Sequence, residues 1–144
     1  MLKLYRKRVL FYLILVNYLF LSGCATTSTS LSVHVNPNTN DGLPFVLVVN
    51  NHSKLYDFVL NTPEVLQKNI LAYYKRYHYY LINPKVDKLL SIDIKKTDTS
   101  DIGLYFLLKN ANNPTFKWKA FIAKTDKSLH NVYFGTNGVS LRDK

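Results

Sequence analysis

Apolar and polar residues alternate with a period of two along much of this chain. Leu31-Ser32-Val33-His34-Val35 reads as a strand with one buried face, and Leu90, Ile92 and Ile94 alternate with Ser91, Asp93 and Lys95 in the same way. Phe45 to Val49 is a continuous apolar run between Pro44 and Asn50, the pattern of a strand buried on both faces. Gly103 to Lys109 is a further apolar run. Phe116, Trp118, Ala120 and Ile122 share the parity of one strand face, with Lys117 and Lys119 on the other. Val132 to Phe134 and Val139 to Leu141 flank Gly135-Thr136-Asn137-Gly138, whose Asn-Gly step signals a hairpin.

One segment departs from this period. Thr62 fits a helix cap, Pro63 the first helical position, and Glu64 the positive end of the helix dipole. Leu66, Ile70, Tyr73 and Tyr77 then fall on one helical face, which predicts a helix ending near Arg76. Together the pattern predicts a mainly β fold: a β-sandwich of about seven strands with one inserted helical segment. No internal repeat is present.

The N-terminus follows a different rule. Lys3, Arg6, Lys7 and Arg8 precede an apolar run from Val9 to Phe20, interrupted only by Asn17, and then Leu21-Ser22-Gly23-Cys24. A basic head, a short apolar core and small residues form a secretory signal. The run is too short for a hydrocarbon core of about 30 Å, which takes about 20 apolar residues. Residues 1–23 are therefore expected to be a signal peptide. Residues 24–30, ending in Ala-Thr-Thr-Ser-Thr-Ser, are expected to be a flexible tether, and residues 31–144 the sandwich domain. Leu21-Ser22-Gly23-Cys24 resembles the bacterial lipobox, which implies cleavage before Cys24 and acylation of its thiol. Cys24 is the only cysteine among 144 residues, so acylation also accounts for the odd thiol, and the domain is expected to have no disulfide. Two or more acyl chains anchor a protein stably where one does not.

Charge narrows the partners. Removal of residues 1–23 takes away four of the 19 bases and none of the nine acids, leaving a net charge of +6. An exported chain whose bases are spread along its length points away from nucleic acid and toward an acidic protein or a lipid surface.

The most polar loop is Asn36-Pro37-Asn38-Thr39-Asn40-Asp41-Gly42. Read as a calcium loop it fails, because Asp41 and Leu47 stand where an EF-hand needs Gly and Glu. It reads instead as a turn between two strands that is available for a protein contact. Tyr73, Tyr74, Tyr77, Tyr79 and Tyr80, interleaved with Lys75, Arg76 and His78, suit a helix end feeding a strand with alternate tyrosines packed inward. His34, His52, His78 and His130 show no zinc-ligand spacing. No nucleophile stands near a base in the sequence, so neither catalytic residues, a metal, a small-molecule substrate nor a cofactor beyond the covalent lipid is expected.

The order of these features resembles the TssJ family, outer-membrane lipoproteins of type VI secretion systems. The likeness is carried by Asp101 to Lys109 leading to Lys117-Trp118-Lys119-Ala120, by Asn36-Pro37-Asn38 and Asp41-Gly42-Leu43-Pro44, by Leu55-Tyr56-Asp57-Phe58, and by Leu81-Ile82-Asn83-Pro84. Lys85 stands where that family usually has Gly, and Asn50-Asn51-His52 replaces its basic motif. The resemblance implies a transthyretin-like sandwich and a structural role: anchoring a trans-envelope complex by binding the periplasmic region of a TssM-like inner-membrane protein. It places that contact in the loop here formed by Asn36, Asn38, Asn40, Asp41 and Gly42. Ala25, where an Asp would retain a lipoprotein in the inner membrane, implies the outer membrane, with the domain facing the periplasm. A pilotin-type escort and an inhibitory or binding lipoprotein of the envelope are the alternatives.

Overall fold

The computed structural model describes residues 28–95, 100–126 and 129–143, so Cys24 and the expected signal peptide lie outside it. Among the described residues, eight strands form two four-stranded sheets. In chain order they are β1 (Ser28–His34), β2 (Phe45–Ser53), β3 (Tyr77–Ile82), β4 (Leu89–Lys95), β5 (Asp101–Leu107), β6 (Lys119–Ile122), β7 (His130–Gly135) and β8 (Gly138–Asp143). One sheet runs β4-β1-β7-β8 and the other β3-β2-β5-β6. All neighbouring strands are antiparallel except β1 and β7. Two helices, α1 (Leu55–Leu60) and α2 (Pro63–Ala72), bridge β2 to β3.

Alternation along the strands builds the inter-sheet core. Leu31, Val33, Phe45, Leu47, Val49, Ile92, Ile94, Ile102, Leu104, Phe106, Ile122, Val132 and Val139 all turn inward. Phe134 meets Phe45 and Phe106 edge-on, with ring centroids 5.3 and 5.6 Å apart. The opposite face of the β3-β2-β5-β6 sheet carries a second apolar cluster of Val48, Tyr105, Tyr77 and Trp118, closed by Phe58 of α1 and Leu66 of α2. β2 is therefore buried on both faces, as its unbroken apolar run predicts.

Several expectations change. Strand β1 begins at Ser28, three residues inside the stretch read as tether, because Ser28, Thr29 and Ser30 pair with Lys95, Ile94 and Asp93 of β4. The predicted helix starts on its Thr62 cap, whose hydroxyl accepts from the Val65 amide at 3.3 Å. It stops at Ala72, where Tyr73 leaves helical geometry (φ −133°, ψ 42°). Tyr77 therefore opens β3, an eighth strand, instead of lying on the helix. β-prone aromatics placed beside the unpaired edge of β2 gain ladder hydrogen bonds there that a helix end does not offer. Helix α1 escaped the periodic reading because it has six residues and only Phe58 is buried.

Trp118 is buried, as expected, but not with Ala120 and Ile122. Those two face the inter-sheet core, whereas Trp118 lies in the helix-covered cluster. The chain is irregular just before β6. Lys117 forms an isolated parallel bridge to Gly138 of the other sheet, its amide donating to the Asn137 carbonyl and its carbonyl accepting from the Val139 amide. A Cβ on Gly138, which has φ +111°, would run into the Lys117 backbone. The glycine of the expected Asn-Gly hairpin is thus needed as much for this close approach as for the turn.

Candidate partner-binding cleft

The loop joining β1 to β2 is a constrained turn. Asn40 (φ 55°), Asp41 (φ 57°) and Gly42 (φ 72°) are three consecutive left-handed residues. Asn and Asp tolerate that region better than other side chains, and Gly has no penalty there. The polar side chains then hold the turn. Asn36 Oδ1 accepts from the Asn38 amide at 3.0 Å, and Thr39 Oγ1 from the Asn36 amide at 3.1 Å. The Asn40 side-chain amide donates to the Leu43 carbonyl at 3.0 Å, while its Oδ1 accepts from the Lys109 amide at 2.7 Å. Lys109 Nζ donates to Asp41 Oδ2 at 2.8 Å, and this hydrogen bond and charge raise the lysine above its ordinary value.

The sequence predicts a turn here that is available for a protein contact. Its internal bonds fix it against the start of the β5–β6 connection. Asn40 and Asp41 spend hydrogen bonds on the fold, while Asn36 and Asn38 remain exposed on the rim.

Around this turn lies a cleft of about 470 Å³ at one end of the sandwich. Four of the five loop residues named from the sequence line it: Asn36, Asn38, Asn40 and Asp41. Gly42 does not. It is buried, and a Cβ there would press on Pro37 and Lys85. The other wall was not read from the sequence: Leu108, Lys109 and Asn110 after β5, Phe116, and Phe134 to Thr136 at the β7–β8 hairpin. The signal available was the turn-rich run Asn110 to Thr115, but nothing in one dimension says that three connections converge. Phe116 and Phe134 supply an apolar floor under a polar rim, a surface suited to a protein segment.

One further group was not legible. His130, 3% exposed, has Asp126 Oδ2 at 3.4 Å from Nε2 and Asp143 Oδ1 at 3.3 Å from Nδ1. The ligand atoms of these three residues lie within 4.8 Å of one another, close enough to hold a cation. Through these contacts His130 on β7 meets Asp143 of β8 and Asp126 of the turn before β7. Sequence spacing offers no ligand pair for His130, because its partners come from a turn and a paired strand.

No family model matches the sequence, and no curated protein matches it. Solved structures do. The T6SS lipoprotein TssJ1 from Pseudomonas aeruginosa superposes with a TM-score of 0.65 at 15% identity, over 83% of this chain and 97% of that one. Serratia marcescens Lip, described as a membrane-bound component of the type VI secretion system, gives 0.65 at 12%, over 83% and 99%. A chain in the structure described as the T6SS protein TssM C-terminal domain (869–1107) from EAEC gives 0.62 at 11%, over 81% and 98%. At these identities the likeness establishes the fold: this chain has the β-sandwich of the type VI secretion lipoproteins across nearly their whole length.

Proposed function

We propose that the chain is a lipid-anchored, TssJ-like component of the membrane complex of a type VI secretion system. In this reading Cys24 carries the acyl chains at the outer membrane, the domain lies in the periplasm, and the protein is structural, not enzymatic. The cleft under the β1–β2 loop binds the periplasmic region of a TssM-like inner-membrane protein. The observation that carries the reading is the match of 83% of this chain to 97–99% of two type VI secretion lipoproteins. The prebuilt cleft supports the choice of surface, since a rigid scaffold presenting ordered loops spares the cost of ordering them on binding.

Co-purification tests both parts. The full lipoprotein should retain the periplasmic region of the TssM-like protein of the same bacterium. Asn38→Lys and Asn110→Lys place bulk and charge on the rim without touching the Asn40–Lys109 bonds, and each should weaken retention at least about tenfold. Retention unchanged in both variants moves the interface off the cleft. No retention by the parent chain removes the secretion reading and favours the pilotin or inhibitor alternatives. Labelling with a palmitate analogue, lost in Cys24→Ala, tests the anchor.

A further inference from the structure

The two ends of the sandwich differ in a way the partner contact does not use. The cleft lies where β1 ends and β2 begins. At the opposite end, about 20 Å away along the six steps of β1, Ser28 pairs with Lys95, and the Asn51 side chain donates to the Lys95 carbonyl at 3.3 Å. β2 finishes there and passes through Lys54 into α1. A groove of about 370 Å³ joins Lys54 to Tyr73 and Arg76 beyond the end of α2. The first residue of β1 thus shares one end with the start of α1 and the close of α2, while the start of α2, beside Leu107 and Asn112, lies toward the cleft end.

That end is unusually apolar for a surface. Leu55 (57% exposed), Tyr56 (74%), Leu71 (76%), Tyr73 (54%) and Tyr74 (64%) crowd it. Bases stand over the aromatic rings, with Lys75 Nζ 5.9 Å from the Tyr74 centroid and the Arg76 guanidinium 5.1 Å from that of Tyr73. From Asn51 to Tyr80 the bases Lys54, Lys68, Lys75 and Arg76 outnumber the acids Asp57 and Glu64. Tyrosine pairs an apolar body with a polar tip, and Lys and Arg reach outward to headgroups, so this composition belongs at a membrane interface.

We propose that the end of the helical layer formed by Leu55, Tyr56 and the segment from Leu71 to Arg76 docks on an anionic phospholipid surface, holding the domain upright with its partner cleft pointing away from the membrane. The inference rests on the lipid anchor proposed above. Cys24 is four residues before Ser28, a span of at most about 14 Å when fully extended. An acylated Cys24 must therefore bring the Ser28 end of the sandwich to the bilayer, and with it the start of α1 and the close of α2. Charge complementarity identifies the lipid, because surface bases gain from anionic headgroups. Asp126 and Asp143, beside His130 in the other sheet, lie at the same end and tilt the contact toward the helices.

The test uses the full lipoprotein, purified as the cell matures it and reconstituted with vesicles of phosphatidylethanolamine plus either phosphatidylglycerol or phosphatidylcholine. An environment-sensitive fluorophore is placed at Leu71→Cys, or at Asn110→Cys in the cleft. Docking predicts that the Leu71 probe brightens and shifts to the blue with phosphatidylglycerol, that added salt reverses this, and that the Asn110 probe does not respond. Adding Lys75→Glu and Arg76→Glu should lower the docking equilibrium constant roughly fivefold or more per base. A protein that floats with vesicles while the Leu71 probe stays unchanged keeps its anchor but overturns docking. Failure to float overturns both, and labelling of the parent chain exposes a free Cys24 and removes the anchor alone. A Leu71 response that depends on protein concentration without vesicles assigns the surface to a second copy and likewise overturns the proposal.

Discussion

The β3-β2-β5-β6 sheet has two buried faces, and they are built differently. The face toward the other sheet is aliphatic with a few phenylalanines, and carries Leu47, Val49, Leu104 and Phe106. The face under the helices is aromatic and has polar tips. Tyr105 and Trp118 meet at 5.8 Å, and Phe58 lies 5.5 Å from Tyr105 and 5.1 Å from Phe121. The Tyr105 hydroxyl accepts from Asn61 Nδ2 at 3.0 Å, and Asn61 Oδ1 accepts from Asn69 of α2 at 3.2 Å. Lys119 Nζ donates to the carbonyls of Phe58, Val59 and Asn61 at 2.7 to 2.8 Å, closing the C-terminal end of α1. Burial holds this lysine below its ordinary value, and its charge is met by three carbonyl dipoles. A sheet-on-sheet core needs only matched apolar faces. Two short helices, with few buried side chains of their own, need hydrogen bonds to fix where they sit. Gly103 belongs to the same device, because a Cβ there would lie 3.0 Å from the Tyr105 hydroxyl and 2.9 Å from Ser53 Oγ.

The largest effects should come from emptying each face. Phe106→Ala and Trp118→Ala should each cost about 3–5 kcal/mol in denaturant unfolding. The difference lies in what loosens. In native-state hydrogen exchange, Trp118→Ala should speed α1 and α2 selectively, whereas Phe106→Ala should speed both sheets. Equal patterns would mean that the two faces act as one core.

Lys119→Met tests the hydrogen-bonded pin while keeping the stem. It should cost about 1.5–3 kcal/mol, the range for hydrogen bonds to a charged donor, and expose α1 to limited proteolysis. A variant that melts with the parent would show the helices to be held by Phe58 and Leu66 alone.

Tyr105→Phe keeps the ring and removes the acceptor of the Asn61 amide, for a loss of about 1–2 kcal/mol. It should also change the alkaline limb of the stability curve. Burial raises the Tyr105 hydroxyl above 10.0, the ordinary value, and raises Tyr77 as well. Above that pH the unfolded chain ionises first, so the stability these groups hold below about 10 is lost as pH rises. The Lys109–Asp41 pair works in the same direction but is exposed and screened. Lys119, lowered by burial, opposes it. Unfolding followed from pH 8 to 11 should fall less steeply in the phenylalanine variant. Parallel curves would place the alkaline loss on other groups.

Much was legible in one dimension because it rests on local chemistry. Two-residue alternation marked β1 and β4, the Asn137-Gly138 step marked the β7–β8 hairpin, the unbroken run Phe45 to Val49 marked a strand buried twice, and Thr62-Pro63-Glu64 marked the start of α2. The polar loop from Asn36 to Gly42 stood out by its turn formers. Tertiary structure decided the rest. Where the helix gives way to a strand, with Tyr77 already on β3, was set by the edge that β2 offers. Lys119, on the face opposite Ala120 and Ile122 as its parity predicts, meets three carbonyls there because α1 packs over β6. Trp118 went to the helical face because Lys117 bridges to Gly138, 21 residues onward. The second wall of the cleft and the Asp126–His130–Asp143 group likewise depend on residues far apart in sequence. Periodicity reports which face of an element is apolar, but which partner covers that face depends on long-range pairing, which one chain read along its length does not contain.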